Sequence, residues 1–233
     1  MKNEKGFFRS TYLFNNAAYF LFTLCFTGLN SLDATSQSYA LHNNAWAEIE
    51  SDEKKEDVQI WNVDKVHSKV GFTITHLVIS EIEGKFSVYE GTINSETSDF
   101  EGASISFSVD VSSINTDNSM RDDHLKSDDF FNAEKFPRMK FESYSFSKKE
   151  KGKYRLKGNL TIRDVTKEVE FDVKFGGIAP NDGYGNTKAG FKATTTINRF
   201  DYGLKWNSLT EAGGLTVGEE VDITMNLQFA KKK

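Results

Sequence analysis

The sequence predicts an all-β domain of about eight or nine antiparallel strands, closed into a barrel or stacked as a sandwich. Three observations carry this. Apolar and polar residues alternate with a period of two in most of the chain after residue 58. The alternating runs recur at hairpin spacing. Several are long, and long strands with one wet face leave long unpaired edges that closure removes. Alternation alone leaves barrel and sandwich both open, with closure favoured by strand length.

The strands follow in order. A short run lies near residues 59–66. Val70, Phe72, Ile74 and His76 then alternate with Gly71, Thr73 and Thr75, and a short run near 84–93 follows. Ile105, Phe107, Val109 and Val111 alternate with serines and Asp110. After another short run near 138–147, Tyr154, Leu156, Gly158, Leu160 and Ile162 share one face. Val169, Phe171, Val173 and Phe175 share the next, then Phe191, Ala193, Thr195 and Ile197. Val221, Ile223, Met225, Leu227 and Phe229 form the last. One segment breaks the period: residues 115–136 read as one or two short helical turns, with Asn118 and Asp128 as N-caps and Pro137 as the stop. This crossover is placed between the fourth and fifth strands, over one barrel end. Pro180, Asn181, Gly183 and Gly185 mark a loop.

Residues 1–40 read as a signal peptide or leader. Lys2, Lys5 and Arg9 precede an apolar stretch whose strongest part, Ala17 to Phe26, is short for a membrane span. The expectation is export to the periplasm or secretion, with an uncleaved membrane anchor as the alternative. Residues 41–57 are polar and acidic and read as a flexible linker. The folded domain is expected at 58–233.

Composition narrows the function. Beyond residue 40 the chain carries 26 bases against 32 acids, taking Lys2, Lys5, Arg9, Glu4 and Asp33 from the totals of 29 and 34. An acidic body offers no electrostatic footprint for nucleic acid. The single cysteine, Cys25, lies in the leader, so the domain has no disulfide, thiolate metal site or cysteine nucleophile. Of the domain histidines, His67, His76 and His124, none forms a close metal-binding pair. No phosphate loop, dinucleotide fingerprint or nucleophile elbow occurs. No metal, no cofactor and no catalytic residues are expected.

The motifs in order resemble the YceI-like family. They begin with Asp64-x-x-His67-Ser68, Phe72, His76-Leu77 and Gly84-x-Phe86. Asn115-Thr116, Arg121-Asp122-x-His124-Leu125, Asp129-Phe130-Phe131 and Phe136-Pro137 follow, then Phe141-x-Ser143. Gly158-x-Leu160-Thr161-Ile162-Arg163 and Val165-Thr166-Lys167 come next. Asn198-Arg199-x-Asp201-Tyr202-Gly203 and Val217-Gly218-x-Glu220-Val221 close the domain. Each motif alone is weak, while their joint order and spacing are specific. One departure is Asp164, where the family commonly has glycine.

The resemblance implies an extended eight-stranded antiparallel lipocalin-like barrel, often dimeric. Its lumen would take a long apolar lipid: a polyisoprenoid, an isoprenoid quinone or a fatty-acid-like chain, for carriage, storage or sequestration near the membrane. The lumen set is then Phe72, Ile74, Phe86, Phe107, Val109, Phe141, Leu160, Ile162, Phe171, Val173, Phe191, Ile197, Ile223 and Met225. Head-group candidates are His67, Arg163 and Arg199, as donors to a phosphate or a quinone carbonyl. The rival readings are an enzyme acting on the same lipid, with His67 or His124 as acid–base, and an interaction protein whose barrel is filled by its own side chains.

Overall fold

The computed structural model describes residues 57–209 and 216–233. The leader and the linker, apart from Asp57, lie outside them. Strand structure begins at β1 (Gln59–Val63), followed by β2 (Lys69–His76), β3 (Ser80–Phe86), β4 (Tyr89–Ser95), β5 (Ser104–Asp110) and β6 (Ile114–Asn115). After helix α1 (Ser119–Lys126) come β7 (Arg138–Glu150), β8 (Lys153–Ile162), β9 (Val165–Ala179), β10 (Lys188–Asn198) and β11 (Val217–Lys231).

All pairings are antiparallel, and the β1–β11 pairing closes the sheet. The eight strands of the barrel emerge once the short segments are joined. β1 and β2 both lie along β11, with Val63 opposite Phe229 and Val70 opposite Met225. They are one long strand interrupted at 64–68. β3 and β4 pair with β2 and β1 respectively and form the second long strand. β5 and β6 lie along β4 and β3 and form the third. With β7 to β11 this makes an eight-stranded up-and-down barrel. The helical crossover therefore joins the third and fourth strands, one place earlier than the sequence count, because the run near 59–66 continues into β2.

The interruption at 64–68 is held by the Asp64-x-x-His67-Ser68 motif. Asp64 accepts the Val66 amide at 3.0 Å, His67 Nδ1 at 2.9 Å and Lys188 Nζ at 2.7 Å. Burial alone would raise the Asp64 pKa. The hydrogen bonds from Lys188, His67 and the Val66 amide outweigh that and hold the carboxyl well below the usual range. Ser68 Oγ takes the Gln228 amide at 2.9 Å, and Tyr89 Oη donates to the Ser68 carbonyl at 2.7 Å. The bend keeps its backbone groups paired.

Aromatic rings close one end. Phe100, 1% exposed, packs on Trp61, Phe175 and Phe191 with centroids 5.2, 5.5 and 5.1 Å away. Phe146 and Tyr154 stack beside them at 4.8 Å. α1 sits at the opposite end, capped by Asn118, whose side chain accepts the Arg121 amide. Asp128 caps no helix: the segment after Ser127 forms turns, and the chain enters β7 at Arg138 after Pro137. Two runs of turn, at 128–131 and 133–135, follow α1, so the one or two helical turns expected in this segment form as the single helix α1, and only the Asn118 cap is used.

Candidate functional site

An apolar chamber of about 510 Å³ fills the middle of the barrel and opens at the α1 end. The period-two alternation puts one face of each of the eight long strands onto its wall, through all segments but β1 and β6. Phe72 and Ile74 come from β2, Phe86 from β3, Phe107 and Val109 from β5, and Phe141 from β7. Leu160 and Ile162 come from β8, and Phe171 and Val173 from β9. Phe191 and Ile197 of β10 with Ile223 and Met225 of β11 complete the expected set, and all of them line the chamber. In this structure the barrel interior therefore holds space beyond what its own side chains occupy.

Glycines make room for the large rings. Gly84 faces Phe72 across β2–β3, and Gly91 faces Phe107 across β4–β5. A Cβ on either glycine would fall within the opposing ring, and one on Gly158 would come 2.5 Å from Phe141 Cζ. The rings lie along the wall instead of standing across the lumen, so an internal space survives a phenylalanine-rich interior.

The polar wall residues gather at the open end. Arg199, 3% exposed, lines the chamber just after β10. Its Nε donates to the Gly218 carbonyl at 2.7 Å, and Nη2 to Val217 at 3.2 Å. Nη1 donates to the Leu204 carbonyl and, at 2.9 Å, to that of Trp206. Burial pushes its pKa down and Glu219 pulls it back up. The guanidinium stitches the 199–206 segment to the start of β11, where the Phe200 ring lies 4.6 Å beneath it. Nearby Tyr202 is pushed up to about 12 by burial and by Asp201.

α1 contributes the other polar groups. Arg121 Nε donates to Thr116 Oγ1 at 2.7 Å and Nη2 to the Thr116 carbonyl at 2.6 Å. Asp122, buried, accepts the Thr116 amide and hydroxyl at 2.8 and 2.6 Å. His124 lies edge-on to Phe130 and Trp206 with centroids 5.0 and 4.9 Å away, and Nε2 meets Asp129 at 3.0 Å. Thr116, Arg121, His124 and Trp206 all line the chamber.

The three head-group candidates separate. Arg199 reaches the wall. His67 does not: it pairs with Asp64 beside Lys188, the first residue of β10, whereas Arg199 follows the last. Those ends lie roughly 33 Å apart along the strand. Arg163 occupies the β8–β9 turn with φ 56° and donates from Nη1 to the Phe130 carbonyl at 3.0 Å, behind the wall. Asp164 has no positive φ, so the fold does not demand glycine there. Arg121, although part of a family motif, and Trp206 were not assigned to the wall from sequence because they sit on a helix and a loop, where no two-residue period marks a face.

Fold and chamber define an up-and-down β-barrel with an internal apolar space, the lipocalin-like class. The YceI-like domain model matches residues 61–229, and the chain belongs to that family. A UPF0312 protein of Staphylococcus aureus strain N315 is 35% identical over 167 residues, covering 72% of this chain and 95% of the relative. The Campylobacter jejuni YCEI protein structure is 32% identical with TM-score 0.59, covering 73% of this chain and 96% of that one. Burkholderia cenocepacia BcnA, at 23% identity and TM-score 0.61, covers 71% of this chain and 98% of its own and shares the fold. A polyisoprenoid binding domain from Saccharophagus degradans shares it at 14% identity and TM-score 0.55, covering 74% and 98%.

Proposed function

We propose that the barrel takes up one long apolar lipid, a polyisoprenoid, isoprenoid quinone or fatty-acid-like chain, and carries or stores it outside the cytoplasm. The observation that carries this reading is the chamber itself: about 510 Å³, walled by aliphatic and aromatic side chains and open at one end. Its size falls in the range of small-molecule sites. Each CH₂ moved from water into such a wall contributes about 0.8 kcal/mol, so a long chain binds without directed hydrogen bonds. The S. degradans neighbour, a polyisoprenoid binding domain by its own description, supports the ligand class. Lys2, Lys5 and Arg9 ahead of the apolar stretch support export.

Mass spectrometry of an organic extract of the purified protein tests the reading. A lipid present near one per chain, or stoichiometric loading of added polyprenol, is the expected result. An empty extract together with failure to load would sink it. The role is binding rather than turnover: bound isoprenoid or quinone recovered unchanged after long incubation agrees with this. A product that disappears in His124→Ala would instead make the protein an enzyme.

A further inference from the structure

The chamber wall is charge-asymmetric in a way that the chain is not. The chain has more acids than bases, 34 against 29. Yet the described wall residues include His76, Arg121, His124, Lys140 and Arg199 and not one Asp or Glu. Neither Arg121 nor Arg199 makes an ion pair with a described residue. Arg199 satisfies its donors on main-chain carbonyls alone, and it is buried. A guanidinium keeps its charge under these conditions, so a positive charge stands in a low-dielectric wall with no ion-pair partner among the described residues, Glu219 acting on it only from farther off. Such a charge is costly unless something negative approaches it.

Arg121 is the group free to meet a ligand. Its Nε and Nη2 are fixed on Thr116, which sets the plane of the guanidinium, while Nη1 has no partner among the described residues. Among the neighbouring acids, Asp122 accepts from the same Thr116 hydroxyl that takes the Arg121 Nε donor, so its carboxylate lies one hydroxyl away from that edge of the guanidinium and leaves the Nη1 edge open. Asp123 pairs with Lys126 at 3.0 Å, and Asp129 with His124. Arg121 and Arg199 belong to the same end. His124, one turn after Arg121, packs on Trp206, whose carbonyl accepts from Arg199.

We propose that the lipid bound in this chamber is amphiphilic with an oxyanion head, a phosphate or a carboxylate, held at the mouth by Arg121 in the field of the buried Arg199. This rests on the lipid-binding reading above and adds the chemistry of the polar end. Arg121 reaches the head through Nη1 as a charge-assisted donor. Arg199, with four of its five N–H donors on carbonyls, acts through its charge. The apolar chain runs inward along the phenylalanine wall toward the closed end.

The test compares lipids that share a chain and differ in head: geranylgeranyl phosphate with geranylgeraniol, and palmitate with hexadecanol. Affinities are measured by displacement of a fluorescent fatty probe from the purified protein. The expected result is binding at least about tenfold tighter for the anionic member of one pair or both, with the margin shrinking as salt rises. The pair that shows it tells phosphate from carboxylate. Arg121→Gln reduces the margin to about twofold or less, Arg121→Lys keeps part of it, and Lys126→Gln, which removes a cation off the wall, leaves it intact. Alcohols that bind as tightly as their anionic partners overturn the oxyanion head while leaving the lumen reading standing. Failure of all four lipids to displace the probe overturns both. Circular dichroism checks each variant's fold, and should Arg121→Gln not fold, the wild-type margin and its salt dependence decide the matter.

Discussion

Gly91 stands directly opposite Phe107 in the β4–β5 ladder, and the phenylalanine ring occupies the space that a side chain at 91 would take. A methyl group there must push a ring already 7% exposed and packed against Tyr89 at 5.8 Å. Gly91→Ala is expected to destabilise the domain by about 1–3 kcal/mol, as overpacked interiors do. Gly190 is the matched control. A Cβ added there would meet no atom within 4 Å, and its φ is not positive, so Gly190→Ala should be neutral or stabilising by a few tenths of a kcal/mol up to about 1. Urea unfolding of both variants measures the contrast, and equal losses would remove the steric account.

Asp64 makes stability depend on acid. Its carboxylate is favoured in the fold, so the folded pKa lies below the unfolded one. The contribution is complete above about pH 4, the ordinary aspartate range. It is lost as pH falls through that value toward the folded one. Asp64→Asn is expected to cost about 1.5–3 kcal/mol at pH 7, the worth of hydrogen bonds to a charged group. The gap from wild type should narrow steadily below pH 4. A gap that stayed constant down to pH 2 would show that the carboxylate charge is not what matters.

Arg199 binds four carbonyls from the 204–206 and 217–218 segments. Arg199→Met would take the guanidinium donors from all four, of which the Val217 carbonyl keeps a side-chain donor in Asn207 Nδ2 at 2.7 Å. A loss of about 3 kcal/mol is expected, or roughly 6–12 °C in Tm for a domain of this size. Arg199→Lys should recover only part, because an ammonium lacks the planar fork. A melting temperature unchanged in Arg199→Met would mean that the segments hold themselves.

The β2–β3 turn carries two branched residues with positive φ, Leu77 at 52° and Val78 at 65°. Val78 is 75% exposed and gives little packing in return. A β-branched residue is strained in this region, whereas asparagine tolerates it. Val78→Asn should raise stability by about 1 kcal/mol, read as a Tm increase of roughly 2–4 °C. A decrease would show that the exposed valine makes contacts worth more than the strain.

Much of the chamber was legible in the sequence because a strand's side-chain period is two: once Phe107 faces inward, Val109 must as well. The same rule placed Phe171 with Val173 and Ile223 with Met225 on one wall. It also marked where the period stops, at residues 115–136, and Asn118 signalled the helix start through its capping chemistry. What local pattern carries no information about is which distant groups meet. Only closure of β1 onto β11 made eight strands from eleven segments, and only the tertiary structure showed that His67 serves Asp64 and Lys188 while Arg199 serves carbonyls at the opposite end. Arg121 reached the mouth by way of a crossover whose path no short-range periodicity encodes. Alternation determines the face of a residue, a local property of the backbone; the neighbours on that face depend on register and closure, which long-range pairing decides.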